Sequence, residues 1–480
     1  MGGDPVTHKS QHADYLVNPN NNIVLRVITL AWPALMLQFM HLLINLWDRF
    51  LAGRFLQVHP DVHISIQAAQ TTGQYFAWLI SSYSVLVTVG STALVARFIG
   101  GDELEKARKV VNHSFWIALI LGVLAAIFGV LLLPYVLSFI GLQGNAGEEA
   151  GRFLFYIFLF LPFQLIESAF ISCLVGAGDT LTGLIVLVGV TILNIPLSFA
   201  FATGAIPMLG NWGFSGIALG TALSHVVGCF VICAILARGK SDLKWEFRPL
   251  MELELVKRML RISIPAGMDS LSIGVGQFIF LGIVNNLGEV AAGAHGIALG
   301  WEAMGYLSGG AFGTAAIALV GLNLGASQPA EASRCAWISY FMGAGVMSFM
   351  GALFFIFAEP MFLVFCPEPS QAEIVRTGAP VLRLIAFAMP FLASCIIITS
   401  ALRGAGDTRV PVIYTWIGFF LLRIPCALIF ARNDLGQGQW MNGLAMGLLG
   451  AWLAMFVDLF ARGVMLLYRF YSGAWKKITV

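Results

Sequence analysis

The chain has 480 residues, of which 58% are hydrophobic and only 11% charged, with 27 Lys and Arg against 25 Asp and Glu. Soluble domains carry roughly 25% charged residues, which excludes a string of soluble domains. The chain reads as an integral membrane protein.

The opening segment, MGGDPVTHKSQHADYLVNPNNN, is polar and has neither an apolar h-region nor a small-residue cleavage pattern, so no signal peptide is expected. Val6 stands where a myristoylation signal needs Ser or Thr. About twelve apolar stretches follow, each long enough to cross a ~30 Å hydrocarbon layer as a helix. They fall near 24–51, 71–99, 112–139, 151–175, 180–203, 213–237, 260–286, 292–322, 334–358, 378–402, 410–431 and 443–469. The ~10-residue alternation of barrel strands is not visible. The cysteines (Cys173, Cys229, Cys233, Cys335, Cys366, Cys395, Cys426) lie mostly inside these stretches, so no disulfide framework is expected. Cys229 and Cys233 share a helix face without an accompanying histidine or second cysteine pair, which favours packing over metal binding.

Charge is distributed unevenly. Arg97, Lys106, Arg108 and Lys109 cluster between the second and third stretches, and Arg238, Lys240, Lys244, Arg248, Lys257, Arg258 and Arg261 cluster in the middle of the chain. Placing both clusters in the cytoplasm puts most of the 27 Lys and Arg on that side, and with an even helix count both termini lie there too. Within the central segment, PLMELELVKRMLR has the make-up of an amphipathic stretch that could lie on the membrane surface, with Leu250, Leu253, Leu255, Val256, Met259 and Leu260 on its apolar side.

That segment is also the seam of an internal repeat. Pro33 answers Pro265, ALVARFIGGDELEKA from Ala93 answers ALVGLNLGASQPAEA from Ala318, and GAGDT at Gly176 answers GAGDT at Gly404, all at a period of about 225–232 residues. The expected fold is therefore an all-α integral membrane protein of about twelve transmembrane helices in two homologous six-helix lobes. The expected divisions are 1–23 (polar N-terminus), 24–237 (first lobe), 238–259 (linker), 260–469 (second lobe) and 470–480 (C-terminus). The paired motifs read as tight turns, Gly176, Gly178 and Asp179 in one half and Gly404, Gly406 and Asp407 in the other, each Asp placed to cap the next helix rather than to act as a catalyst.

NLWDRFLAG after Pro33, GAGDT in both halves, LNIPLSF, GFSGIALGTALSH, AGAHGIAL, GTAAIALVGLNLGA and LRIP occur in one order across the chain. In these motifs the sequence resembles the multidrug and toxic compound extrusion (MATE) family of secondary transporters over essentially its whole length. The resemblance implies expulsion of bulky, often cationic amphipathic compounds against inward flow of Na⁺ or H⁺ by rocking of two lobes. Parallel repeats of this kind place a substrate cavity between them.

Ionisable groups are costly inside hydrocarbon, so each is a candidate for coupling. Asp48 lies about four helical turns beyond Pro33, and its repeat mate is Phe280, so the duplication is broken there. The resemblance also assigns this Asp to a cation site. Family members pair an Asn with a carboxylate or amide four residues on; here the pair is Asn194 and Ser198, and Thr221 stands at the family's hydroxyl position in the sixth helix. One carboxylate, one amide and two hydroxyls suit a monovalent cation, while Asp48 alone could carry a proton, so H⁺ and Na⁺ both stay open as the coupling ion.

In the second half the family's usual carboxylate positions read Ile273 and about Leu392. Asp269 and Glu302 stand nearby instead, and Arg423 occupies the place in RIP that Asn194 holds in NIP. Asp269 or Glu302 is the expected partner of Arg423, as a structural pair or as a protonation switch. Asp458 and Arg462 are spaced to neutralise each other. Glu167, Trp301 and Met304 are candidates for the cavity, and His41 and His295 are read as interfacial.

No HExxH and no P-loop GxxxxGK[ST] occurs, so neither an enzyme nor an ATP-driven pump is expected, and no cofactor. The only metal expected is Na⁺ at Asp48, if that is the coupling ion. The alternative function is a lipid-linked oligosaccharide or polysaccharide flippase of the same superfamily, whose cavity should be strongly basic; a membrane-embedded enzyme is less favoured. The expected partners are a small organic substrate and the lipid bilayer, with no nucleic acid and no obligate protein partner. A monomer in the plasma (inner) membrane is expected.

Overall fold

The structure, a computed structural model, describes residues 11–54, 60–139, 142, 144–247, 252–431 and 444–478. Among them twelve helices are long and apolar enough to cross a bilayer. In chain order these are α1 (Ile23–Arg54), α2 (Pro60–Gly100), α3 (Leu104–Phe139), α4 (Gly144–Gly176), α5 (Thr180–Thr203) and α6 (Gly213–Ala237). They continue with α7 (Leu253–Asn285), α8 (Glu289–Gly325), α9 (Pro329–Ile356), α10 (Ala372–Ala405), α11 (Arg409–Ala431) and α12 (Gly447–Tyr471). The protein is thus all-α and multi-pass, as its apolar stretches predict. Helices are the outcome because hydrocarbon offers no partner for backbone N–H and C=O groups, which must be satisfied within each segment. A short helix, Gln11–Val17, precedes α1 within the stretch read as a polar terminus, and it buries Ala13, Leu16 and Val17.

The chain divides into two compact units. One contains Met36–Ser263 together with the N-terminal residues up to Asn18; the other contains Pro19–Leu35 and Ile264–Val480. Within the first, α4 packs against α2, α3 and α6, and α5 packs along α6. Within the second, α9 packs on α8 and α10, and α12 on α10 and α11. Its core joins Phe280, Ala298, Met347, Met389, Trp452 and Phe470. Two stretches of π-helix, Ser394–Ile398 in α10 and Ile417–Arg423 in α11, interrupt the regular winding there.

Both GAGDT turns have the predicted backbone: Gly178 and Gly406 take φ of +86° and +87°, the left-handed geometry a glycine permits. Gly176 and Gly404 let neighbouring helices close in, onto Thr92 O in one case and Ile317 O in the other. The two aspartates differ. Asp179 caps α5, accepting from Thr182 N at 2.9 Å and Thr182 Oγ1 at 2.7 Å. Asp407 does not cap α11; its carboxylate accepts from Arg469 of α12 at 2.8 Å. The reason for the correction is the long-range partner: Arg469 occupies the Asp407 carboxylate, and α11 starts one residue later relative to its Asp, with Thr408 at the N-cap.

The linker is fastened to the first unit. Ser241 Oγ donates to Asp179 Oδ2 at 2.5 Å, Arg108 Nε donates to Asp242 O at 3.2 Å, and Trp245 packs on Phe115 and Phe170. Residues 248–251, and with them Leu250, lie outside the described residues, as do 1–10 and 479–480. Leu255 and Met259, assigned to a membrane-surface stretch, are buried in protein instead. Gly90 explains the difference: its bare Cα faces Met259 O, and its N–H donates to Ser263 Oγ at 3.0 Å, so the start of α7 seats against α2.

Candidate functional site

Asp48 stands one helical turn beyond Ile44, which forms a small apolar core with Leu187 and Val190 of α5, Leu37 and Met40 leaning on it. This packing brings the carboxylate to the seam of α5 and α6. Thr221 Oγ1 donates to Asp48, 3.2 Å from Oδ2 and 3.5 Å from Oδ1. The same hydroxyl accepts from Asn194 Nδ2 at 2.8 Å, and Asn194 Nδ2 also reaches Ser198 Oγ at 3.1 Å. All four residues predicted for coupling in the first half therefore converge on one network. Asp48 is 7% exposed and Asn194 and Ser198 are fully buried. Asn194 Oδ1 is buried without a hydrogen-bond partner, an oxygen left available within the cluster.

Beside it opens a cavity of about 390 Å³, lined by Gln38, His41, Asn45 and Asp48 of α1, Gln70 and Gln74 of α2, Phe153, Phe160 and Gln164 of α4, and Thr221 and His225 of α6, among others. Among the described residues, no Lys or Arg contributes to this lining. His41, read as interfacial, belongs to the cavity wall. The glutamines escaped the search for ionisable groups, although amides inside apolar runs such as LMLQFMH and LPFQLIES carried the signal. Glu167 is not on the wall itself; it sits behind His225, its Oε2 2.7 Å from His225 Nδ1. Trp301 and Met304, predicted for the cavity, take no part in this wall. Trp301 Nε1 donates to Met361 O at 3.2 Å, and Met304 is exposed.

The second half differs from the predicted charge network. Arg423 is held by Asp458 of α12 at 2.7 Å, not by Asp269 or Glu302. Asp458 also accepts from Arg462 at 2.6 Å, which is the predicted i,i+4 pair. Asp269 is taken by Arg403 at 2.8 Å, and Glu302 forms no hydrogen bond or ion pair among the described residues. The guanidinium of Arg423 lies 4.1 Å from the Phe419 ring centroid and 5.7 Å from that of Phe280. Where the first half joins Asp48 to Asn194 through a hydroxyl, the second sets their repeat mates, Phe280 and Arg423, face to guanidinium. His295, also read as interfacial, is buried and accepts from Trp452 Nε1 at 3.1 Å.

Comparison with known proteins follows the same repeat. The MatE family matches residues 33–200 and 265–429. Among curated relatives, a probable multidrug resistance protein NorM of Thermotoga maritima is 26% identical over 95% of this chain and 93% of its own length. The multidrug resistance protein PmpM of Pseudomonas aeruginosa is 24% identical over 90% of each. Among solved structures, a MOP superfamily transporter from Pyrococcus furiosus, described as having a binding pocket of reverse polarity, superposes with a TM-score of 0.85 at 21% identity, covering 98% of this chain and 100% of that one. Both family segments begin at a repeat proline, Pro33 or Pro265, and end within the helix that carries Asn194 or Arg423. Together they span more than half of the chain, which is therefore no enzyme but belongs to the MatE family, the multidrug and toxic compound extrusion transporters that its motifs resemble.

Proposed function

We propose that the protein is a secondary active efflux antiporter that exports amphipathic, often cationic organic compounds in exchange for H⁺ or Na⁺, by alternating access of its two lobes. It acts as a monomer in the plasma (inner) membrane with both termini cytoplasmic. The relatives named as multidrug resistance proteins support the substrate class.

One observation carries the coupling. Of the buried carboxylates within the spans, Asp269, Asp458 and Glu331 each meet an arginine and Glu167 meets a histidine. Asp48 meets a hydroxyl alone among the described residues. A carboxylate in hydrocarbon needs a positive charge or a proton, and here the protein supplies no fixed arginine or lysine. A mobile ion completes the site: H⁺ on the carboxyl, or Na⁺ among the oxygens of Asp48, Asn194, Ser198 and Thr221. The flippase alternative expects a strongly basic cavity, and the Asp48 cavity has no Lys or Arg on its wall among the described residues.

The test is efflux of a fluorescent cationic dye from proteoliposomes, with Na⁺ and pH gradients imposed separately. Wild type should respond to at least one gradient, and Asp48→Asn should stay folded but lose the response. Gradient-driven efflux at the wild-type rate in Asp48→Asn would refute the assignment.

A further inference from the structure

Beside the Asp48 cavity lies a second buried acid whose partner can give up its charge. Glu167 of α4 is 2% exposed, and its Oε2 meets His225 Nδ1 of α6 at 2.7 Å. Its other oxygen, Oε1, is buried with no hydrogen-bond partner. Gly228 makes room for it, since a Cβ there would stand 2.6 Å from Oε1. His225 lines the same cavity as Asp48, one turn beyond Thr221 on one face of α6. Glu167 therefore meets the cavity through the imidazole.

Apart from Asp48, the remaining buried carboxylates of the spans among the described residues, Asp269, Asp458 and Glu331, are paired with guanidinium groups, which keep their protons at any physiological pH. Those pairs hold fixed charge. An imidazole is the partner that changes charge in that range. With one proton between them, Glu167 and His225 are neutral overall, either as carboxylate and imidazolium or as carboxyl and imidazole. With none, a full negative charge stays in hydrocarbon with one oxygen unsatisfied, a state that readily takes a proton back.

Other titratable groups facing this region are few. Asp48 and His41 of α1 line the cavity, and the thiol of Cys229 is buried one turn beyond His225. On the other elements packed against α4, Tyr83 of α2 donates to Leu121 O, and His113 of α3 is held between Lys109 O and the Glu252 amide. The face of α5 beside it offers Val190.

We propose that Glu167 and His225 form a second proton-binding site of the cavity, holding one exchangeable proton that enters and leaves through the imidazole. In uptake, H⁺ from cavity water adds to the carboxylate–imidazole pair and gives the neutral pair; release returns it to water, and no other bond changes. The consequence for transport rests on the antiporter reading. With one monovalent ion at Asp48 and one proton at the pair, two positive charges enter for each monovalent cation expelled, so the exchange carries net charge and responds to membrane potential.

The first experiment does not depend on transport. Purified protein in detergent is titrated with a pH indicator between about pH 5 and 8, the window in which an imidazole changes charge. Wild type, Glu167→Gln, His225→Asn and the double variant are compared, each also in the Asp48→Asn background. Glu167→Gln should bind one proton fewer per molecule than its parent, whereas His225→Asn leaves a lone carboxylate in hydrocarbon that still takes a proton. The double variant, which removes both members together and so covers the failure of either single variant to fold, should lose that same one proton, because the pair titrates as a unit. Equal proton counts in the double variant and its parent would overturn the proposal.

The second experiment applies a K⁺ diffusion potential to dye-loaded proteoliposomes. Wild-type efflux should follow the potential, and Glu167→Gln should lose that dependence; an unchanged voltage response in Glu167→Gln overturns the two-charge exchange. If wild type exports dye under neither gradient, the antiporter reading fails, and the proton count decides the site on its own.

Discussion

Asp458 is the residue on which the charge of the second half turns. It accepts from two arginines, Arg423 at 2.7 Å and Arg462 at 2.6 Å, so the trio carries a net positive charge. Deleting Arg423 leaves a balanced Asp458–Arg462 pair; deleting Asp458 leaves two guanidinium groups uncompensated. Breaking a buried pair in that second way costs about 3–5 kcal/mol. Asp458→Asn should therefore destabilise by about that amount, clearly more than Arg423→Leu, and removal of both arginines in the Asp458→Asn background should recover much of the loss. Thermal unfolding in detergent gives the ranking; an Arg423→Leu loss as large as that of Asp458→Asn would show that Arg423 is the anchor instead. The i,i+4 spacing of Asp458 and Arg462 was legible in the sequence because helix geometry fixes it. The Arg423–Asp458 and Arg403–Asp269 pairs were not, because each joins two different helices, 35 and 134 residues apart in the chain, beyond any single helix's spacing. Arg403 also precedes a turn motif, where a charge invites no search for a partner.

At the scale of helices, the coupling cluster depends on how closely α5 and α6 approach. Gly220 lies against the backbone of Ser198, and a Cβ there would stand 2.5 Å from Ser198 N and Cα. That closeness sets the 2.8 Å bond from Asn194 to Thr221, one residue further along α6. Gly220→Val should push the helices apart, destabilise by about 1–3 kcal/mol through overpacking, and impair ion-driven efflux as strongly as Thr221→Ala. Dye efflux together with thermal unfolding reads both effects; a destabilised Gly220→Val with unimpaired coupling would separate the glycine from the site. The glycine's role was legible only as part of a family motif, since sequence does not reveal which backbone it meets. The GAGDT turns teach a related limit. Their shared pentapeptide predicts the shared glycine φ, but capping depends on which other group claims the Asp carboxylate. In one half Asp179 meets Thr182, and in the other Arg469 of α12 takes the Asp407 carboxylate.

Across the whole molecule, the basic central segment belongs to one unit rather than lying free on the membrane. Lys109 Nζ reaches Glu252 Oε1 at 2.6 Å, and the Glu252 amide donates to His113 Nε2 at 2.7 Å. The Lys109 hydrogen bond holds the exposed Glu252 carboxyl below its usual range. A group depressed in this way contributes its anchoring above its unfolded pKa and loses it as pH falls through the lowered folded value. Hydrogen exchange of the peptide around Glu252 should therefore speed up, after correction for intrinsic rate, once pH drops below the ordinary glutamate range. Lys109→Ala should give the faster exchange already at neutral pH, and unchanged protection in that variant would assign the anchoring to His113 alone. The composition revealed the basic segment, and its long-range partners, Lys109 and His113 on α3 among them, reveal what holds it.

The division between the two units falls inside α1 at Leu35/Met36 and inside α7 at Ser263/Ile264, within three residues of Pro33 and Pro265. These prolines were legible as repeat landmarks, but a period alone cannot say why both halves keep one. A proline inside a helix lacks the N–H that would bond the carbonyl four residues back, and its ring crowds that carbonyl, so the carbonyl of Arg261 is left without its helical donor. Long helices bend at such points. If α7 flexes there as the transporter cycles, Pro265→Ala, which restores the missing donor, should stiffen it. Hydrogen exchange over residues 262–268 should then slow, and gradient-driven dye efflux should fall several-fold, while dye binding to the solubilised protein stays at the wild-type level. Slower exchange with undiminished efflux would show that bending of α7 at this proline plays no part in the transport cycle, leaving Pro265 as a feature of the fold alone.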